Sequence, residues 1–469
     1  MGVVVRAGGI VTVLGGVPTA FRPLRHRDFR LLWTGLAVSL VGSGLWLVAL
    51  AWQVIELGGG PTELSLVTAL FSVGLLAFVL IGGVAADRLP QRLVMLAADL
   101  IRAAVLLVLG LLSLSGDLRI WHLAAGGVLI GAGEAFFIPS YTALLPHLLP
   151  EDELLAANGL EGTLRPLAQQ AAGPALGGIA VAALSPGVAI LTGGLAYLVS
   201  AGCLLVMKVR PRKIPATNGA PGVAAVFSDL REGFRYVRRT SWLWATLLFA
   251  LALVLFIIGP LEVLLPFAIR DNLGGGAEDY GLALAAFGVG GAVGALAISS
   301  GRLPRRYLTV MILMWGLGSL PFAVIGVAGA LWVMCAALLV VGATYSAAIV
   351  IWGTLLQRRV PEGLRGRVSS LDFFVSLALM PVSMAIAGPA GAIFGITAVF
   401  VVAGIVPVFL AVAAIVVPRL DRDELANPLD HPEPAPAKNL SGSTQDESKG
   451  SEREPHHERT QKYDEDNRC

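Results

Sequence analysis

The chain has 469 residues, of which 56% are hydrophobic and 14% charged, with a formal net charge of +2 and a mean hydropathy of +0.76. A soluble domain carries roughly 25% charged residues, so an ordinary water-soluble fold is excluded. The basic residues lie in short loops between apolar runs, which excludes a nucleic-acid footprint. Cys203, Cys335 and Cys469 supply neither a disulfide framework nor a zinc spacing.

A bilayer core of ~30 Å asks for about 20 apolar residues per helix. Residues 1–30 read as an N-terminal arm, with no cleavable signal pattern before the first apolar run. Twelve candidate spans follow, at 31–55, 64–86, 93–113, 121–145, 155–183, 187–207, 242–268, 280–300, 307–328, 331–355, 369–391 and 395–417. The fifth is overlong, so its first turns are expected at the membrane interface. Residues 208–241 read as a linker, Pro/Gly-rich from Arg210 to Gly222 and then an amphipathic helix. In that helix Val223, Val226, Phe227, Leu230, Phe234 and Val237 share one face, opposite Asp229, Arg231, Glu232, Arg235 and Arg238. A basic helix of this kind suits an anionic leaflet. The tail, 419–469, is rich in Glu, Ser, Pro and His and is expected to be disordered.

Lys and Arg concentrate in the arm and in the second, sixth, eighth and tenth loops, whereas the odd loops offer only Arg119 and Arg270. The positive-inside rule then puts both termini in the cytoplasm. The fourth loop breaks the pattern, with His147, Glu151, Asp152 and Glu153 and no Lys or Arg.

One short charged loop occurs twice. Asp87-Arg88-Leu89-Pro90-Gln91-Arg92 returns 214 positions later as Gly301-Arg302-Leu303-Pro304-Arg305-Arg306. Leu144-Leu145, Pro150-Glu151 and Leu160-Glu161 match Leu355-Leu356, Pro361-Glu362 and Leu371-Asp372 at an offset of 211, and Gly173-Pro174 matches Gly388-Pro389 at 215. The expected fold is therefore an all-α membrane protein of twelve helices in two pseudo-symmetric six-helix bundles, 31–207 and 242–418. Parallel repeats of this kind, related by an axis along the membrane normal, belong mainly to solute transporters.

These residues resemble the major facilitator superfamily, and more narrowly its twelve-span drug and siderophore exporters of the enterobactin-exporter and macrolide-efflux type. The resemblance covers about residues 21–418. It is carried by Phe29-Arg30-Leu31-Leu32-Trp33, by Gly83, Asp87, Arg88 and Arg92 around the second loop, by Pro139 to Asn158, and by Gly173, Pro174, Gly177 and Gly178 in span 5. It implies the major facilitator fold and export of a solute. There are departures: Pro90 stands where the family has Gly, and Gln91 where it has a basic residue. Relatives often carry an Arg in span 4 and Gly-Asp in span 1, where this chain has Gly127 before Gly131 and Gly42-Ser43. Two usual carriers of proton coupling are thus missing, and coupling either uses other residues or is lacking.

Asp87 ends span 2, where its charge can face the N-terminus of a helix in the other half, a contact worth roughly 0.3–2 kcal/mol. The resemblance points to span 11 as partner, making the loop a gate; the alternative is that its charges only set topology. The ionisable residues inside spans are Asp99, Arg102, Glu134, Glu161, Arg165, Glu262 and Asp372, each costing ~2.5–3.5 kcal/mol or more at mid-bilayer unless paired or hydrated. Asp99 with Arg102 and Glu161 with Arg165 have the spacing of pairs on one helix. Glu134 has no basic residue in its own span and is expected to meet Arg102 or Arg165 at a central cavity, as a proton site. Glu262, between Pro260 and Pro266 near the outer end of span 7, is a second proton candidate. Asp372 is expected to brace the gate with Arg358, Arg365 or Arg367. Gly173-Pro174 and Gly177-Gly178 predict a bend or close packing in span 5. Trp46, Trp52, Phe71, Phe136, Phe137, Tyr141, Phe256, Phe287, Tyr345 and Trp352 supply aromatic surface, of which at most a third is expected to line a pocket.

The expected function is export of a small amphipathic or hydrophobic compound, drug, antibiotic or siderophore-like, by alternating access with proton antiport. The partners are that small molecule and the bilayer, with no nucleic acid, and the protein is expected to be a monomer of the cell membrane. A lipid or lysolipid flippase of the same fold is the alternative. A receptor or enzyme is disfavoured: there is no HExxH, nucleophile elbow or Walker loop. No metal or cofactor is expected beyond the proton motive force as energy source.

Overall fold

The computed structural model describes residues 19–208, 231, 234–301 and 303–429, and among these there is no strand. Eleven helical runs are long and apolar enough to cross a membrane: Arg27–Glu56, Pro61–Arg88, Gln91–Ser115, Ile120–His147, Pro186–Val206, Ser241–Leu273, Ala277–Ser299, Tyr307–Val327, Leu331–Arg359, Gly363–Phe394 and Ile396–Val416. They correspond to expected spans 1–4 and 6–12. Span 5 is helical but assembled differently, from Glu151–Arg165, a π-helical Pro166–Ala172 and Gly173–Ala183. Its first turn is Glu151, Asp152 and Glu153, so only its later part is apolar. Span 7 contains a second π-helical turn, Pro260–Leu264. Both π segments begin at a proline, whose missing N–H removes one step of the helical ladder.

Local chemistry ends the helices where they turn. Glu63 reaches back to the Gly60 amide at 2.8 Å, and the Ser185 hydroxyl accepts from the Val188 amide at 3.3 Å. Gly116 and Gly274 close spans 3 and 7 at φ +81° and +63°, a left-handed region open to glycine without strain. Trp121 and Trp332, 62% and 74% exposed at the starts of spans 4 and 10, suit the membrane–water interface.

Span 2 packs on span 4, and span 8 on span 10, with the same device. Gly74 faces the Val128 backbone and Gly131 the Phe71 backbone; Gly290 faces Leu339 and Gly342 faces Phe287. Spans 1 and 3 pack on span 6, and span 9 on span 12. The two halves meet along two seams, span 2 on span 11 and span 5 on span 8. Both seams lie toward the end that carries the turns 57–60 and 274–276: Gly388 abuts Pro61 and Ser65, and Gly178 abuts Ala277 and Glu278. At the opposite end Asp87 and Arg88 are exposed, and a Cβ added at Gly83, Gly159, Gly162 or Gly366 would meet nothing within 4 Å. The molecule is therefore closed at one end and parted at the other.

The expectation of a structureless tail from residue 419 is corrected. Leu420–Ala426 is a helix whose Glu424 is fully buried. The Glu424 carboxylate accepts from the Leu308 and Thr309 amides at 2.8 and 3.1 Å and from the Thr309 hydroxyl at 2.6 Å, capping span 9. Asp423 pairs with Arg359 at 2.7 Å. The Tyr307 hydroxyl donates to the Asn427 carbonyl at 2.8 Å, so five hydrogen-bonding or ionic anchors hide in a segment that composition alone marks as polar. Of the expected linker helix, residues 231 and 234–239 are described and are helical; residues 223–230, 232 and 233 of it, arm residues 1–18, Arg302 and the tail from 430 lie outside the described residues.

Candidate functional site

Spans 1, 2, 4, 5, 6, 7 and 11 enclose a cavity of about 260 Å³ between the halves. Its wall is mostly apolar, including Trp46, Leu50, Phe71, Leu75, Ile130 and Met380. The polar groups facing it are Ser43, Thr68, Glu134, Gln169, Tyr197 and Glu262. No Lys, Arg or His is among the described residues of the lining.

Glu134 is the exposed member of a buried ionic cluster. Arg102 Nη2 lies 2.5 Å from Asp99 Oδ1, and Arg102 Nη1 donates to Glu134 Oε2. Asp99 and Arg102 are 0% and 2% exposed, whereas the Glu134 side chain is 18% exposed, at the cavity wall. The Ser200 hydroxyl donates to the second Asp99 oxygen at 2.6 Å. The guanidinium lies over the rings of Phe137 and Tyr197, 4.7 and 4.4 Å from their centroids, a geometry that stabilises a desolvated cation by ~2 kcal/mol. Tyr197 is anchored in turn by Ser43, 2.7 Å away. Gly133 makes this possible: a Cβ there would stand 2.8 Å from Arg102 Cγ. The cation beside span 4 is thus delivered from span 3 across a glycine.

Glu262 faces the same cavity from the second half, within the π turn of span 7. Span 7 runs on to Leu273, which puts Glu262 some eleven residues, ~16 Å, inside its end, deeper than the sequence places it. It forms no hydrogen bond or ion pair among the described residues. Tyr280 is fully buried, stacked on Trp52 at 5.9 Å. The cavity therefore sets one carboxylate with a cation opposite one without.

The other expected residues fall elsewhere. Glu161 and Arg165 stand 4.0 Å apart, and Arg165 donates to Gln169 at 3.4 Å, a ladder leading along span 5 to the cavity. Asp372 has a different partner from the arginines expected: Trp352 Nε1 donates to both its oxygens at 3.2 Å. Asp87 and Arg88 make no hydrogen bond or ion pair among the described residues, so the gate contact to span 11 is not formed in this state. Arg92 instead caps span 6, donating to the Leu204 and Leu205 carbonyls at 2.6 and 2.7 Å, and Gln91 caps span 2 through the Ala86 carbonyl at 2.8 Å. Gly173, Pro174, Gly177 and Gly178 are all buried in close packing: Gly173 lies on Gly44 and Val41, Gly177 on Leu45. Of the ten aromatic residues singled out, Trp46 and Phe71 line the cavity; Tyr197, which was not, does so as well. Its signal in the sequence was the only tyrosine of span 6, three residues before a serine.

Comparison with known proteins bears on this geometry. A family model described as "transmembrane secretion effector" matches residues 18–445. Multidrug efflux pump Tap of Mycolicibacterium fortuitum is 29% identical over 404 residues, covering 82% of this chain and 94% of that protein. Macrolide efflux protein A of Streptococcus pyogenes is 25% identical over 393 residues, with 82% and 94% covered. Among solved structures, nucleoside transporter NupG superposes with a TM-score of 0.64 at 11% identity, covering 83% of this chain and 98% of that one. A bacterial homolog of the human lysosomal transporter Spinster, in an inward-facing and unoccupied conformation, gives 0.61 at 14% identity, with 85% and 98% covered. At those identities the structures establish a shared fold.

Proposed function

This chain belongs to the transmembrane secretion effector family of the major facilitator superfamily, and from that premise we propose that it exports a small amphipathic compound carrying a positive charge, by alternating access and proton antiport. The observation that carries the reading is the cavity itself, apolar and aromatic over most of its wall, with Glu134 and Glu262 facing it from opposite halves and no cation among the described residues of its lining. An amphipathic cation complements such a wall: its apolar body buries against Trp46, Phe71 and Tyr197, and its charge meets Glu262. A proton and a cationic solute that compete for one carboxylate keep the low-dielectric site near neutrality in both halves of the cycle. Arg102, already shared by Asp99 and Glu134, leaves Glu262 as the uncompensated group.

With the basic loops on the cytoplasmic side, the parted end of the molecule faces the cytoplasm and the seams close the outer side. Asp87 then closes the parted end in the alternate state. The efflux activities named for the two curated relatives support the direction of transport. Accumulation of cationic dyes and antibiotics in cells with and without the protein, repeated with a protonophore, tests the reading. Lower accumulation that rises to the control level with the protonophore is expected; unchanged accumulation of every compound would remove the export assignment.

A lipid or lysolipid substrate has one observation in its favour. An apolar groove of about 480 Å³ between spans 7, 11 and 12 is lined by Phe256, Ile386, Phe394 and Val402 on the bilayer face. Translocation of a fluorescent lysolipid in proteoliposomes, without dye export, would favour that alternative.

A further inference from the structure

Two serine hydroxyls from neighbouring spans each bridge one helical step of another span. The Ser65 hydroxyl of span 2 donates to the Met384 carbonyl of span 11 and accepts from the Gly388 amide at 3.1 Å. Met384 and Gly388 are the acceptor and donor of a single i→i−4 step. The Ser383 hydroxyl of span 11 does the same to span 7: it donates to the Leu255 carbonyl at 2.8 Å and accepts from the Gly259 amide at 2.9 Å. Both serines are buried, 1% and 2% exposed. In each case the hydroxyl's one proton and one lone pair are used by the step it bridges.

The two bridged sites are chemically alike. Each donor glycine is followed by a proline, Pro389 and Pro260, which cannot donate and so loosens the next step of the ladder. Each glycine also permits the approach. A Cβ on Gly388 would lie 2.6 Å from the Pro61 carbonyl carbon, and one on Gly259 would lie 2.9 Å from the Ser383 carbonyl carbon. A side chain inserted beside a helical ladder is a recognised cause of a bend. The second bridge stands directly before the π turn, three residues ahead of Glu262.

The pseudo-symmetric counterpart lacks both bridges: 215 positions after Ser65 stands Tyr280, whose hydroxyl has no hydrogen-bond partner among the described residues. Gly44 and Gly259, Ala168 and Ser383, and Gly173 and Gly388 are each separated by 215 positions. Gly44 does lie against Gly173 and the Gln169 carbonyl, so the packing is repeated while the serine is replaced by Ala168. On the span 8 side, Gly281 sits on Pro174 and Gly178, with no side chain to donate. The bridges are therefore not a by-product of the repeated fold.

We propose that Ser65 and Ser383 are positioning residues that form a relay, span 2 to span 11 to span 7, which couples closure of the span 2/11 seam to the turn bearing Glu262. When the seam parts, Ser65 leaves span 11, the Met384 carbonyl and Gly388 amide are left to each other, and span 11 relaxes. Ser383 then shifts its hold on Gly259, and the Glu262 carboxyl moves relative to the cavity. The relay stands on these contacts and is independent of which solute is carried.

Hydrogen exchange of the full-length protein in lipid nanodiscs, read by mass spectrometry, tests it without a substrate. In Ser65→Ala, segments 384–390 and 255–264 are expected to exchange about two- to tenfold faster, the loss of a net hydrogen bond, while 168–178 and 277–288 stay at the wild-type rate. Acceleration at 255–264 is the decisive part, because Ser65 bonds to nothing there. Faster exchange confined to 384–390, or equal at both seams, overturns the relay. Ser383→Ala decides the case independently should Ser65→Ala not fold: 255–264 is expected to accelerate with 61–68 unchanged, and an unaltered 255–264 overturns the proposal. Ser383→Thr keeps a hydroxyl and is expected at the wild-type rate; acceleration equal to that of Ser383→Ala would remove the hydroxyl from the account.

Discussion

Spans 5 and 8 meet through glycines, with Gly178 on Ala277 and Glu278, Gly281 on Pro174 and Gly288 on Gln170 and Ala171, whereas spans 2 and 11 add to Gly388 the directional bonds of Ser65. Small residues let backbones close in and slide, which suits parts that rock. A hydroxyl bridging a helical step does something else: it fixes one register and must be broken to leave it. The same asymmetry runs deeper, since Glu262 has Leu47 at its pseudo-equivalent position, 215 residues earlier. The span 5/8 seam is thus held by close backbone packing, and the span 2/11 seam by close packing together with hydroxyl bridges.

The largest expected effect lies in the ionic cluster that backs the cavity in the first half. Arg102→Met leaves Asp99 and Glu134 facing each other without their cation and should cost about 3–5 kcal/mol, read as a lower unfolding temperature of the purified protein. Arg165→Gln, by contrast, breaks a 4.0 Å pair with 37% and 27% exposure and should change stability by less than about 1 kcal/mol. Equal losses would mean that burial is not what distinguishes the two.

Next comes the carboxylate of the second half. Glu262→Gln should weaken binding of a cationic dye by about 10- to 100-fold, the span of a charge-assisted hydrogen bond of ~1.5–3 kcal/mol, and leave a neutral analogue unchanged. Leu47→Ala, at the matching position, should affect both ligands alike. Fluorescence titration of the two dyes separates the cases.

Gly388→Ala and Gly288→Ala should each cost about 1–3 kcal/mol by overpacking, because a Cβ would strike the Pro61 and Gln170 backbones respectively. The seams are equal under this change and unequal under removal of hydroxyls, which sharpens the contrast to its chemical root. The smallest effect on stability belongs to Asp87→Asn. An exposed, unbonded side chain should be replaced within about 0.5 kcal/mol, yet transport should fall if Asp87 closes the parted end. Wild-type transport in that variant would return Asp87 to a topological role.

Much of this was legible in the chain. Eleven of the twelve expected spans are helices long and apolar enough to cross a membrane, because the membrane demands contiguous apolar residues and sequence displays contiguity directly; span 5, which opens on Glu151, Asp152 and Glu153, is the exception. Asp99 and Arg102 revealed their pairing by i, i+3 spacing, and Glu134 its need of a cation by having none nearby. What could not be read depends on contacts between distant segments. Glu134 and Glu262 share a cavity although they come from different halves, and Ser65 and Ser383 look like any small polar residue in an apolar span until a second backbone is placed beside them. The Leu420–Ala426 helix is hidden in the sequence for the opposite reason. Its Glu424 is buried by capping span 9, so a residue type that composition assigns to solvent serves an interior end.

The central claim is that a cation and a proton exchange at Glu262 within a cavity that opens to alternate sides. Proteoliposomes containing the full-length protein and given an inward-acid pH gradient test it most directly, by the accumulation of a permanently cationic dye. The account predicts gradient-driven accumulation by the wild type, abolished by collapsing the gradient and absent in Glu262→Gln. Accumulation indifferent to the gradient, or retained in full by Glu262→Gln, would contradict it.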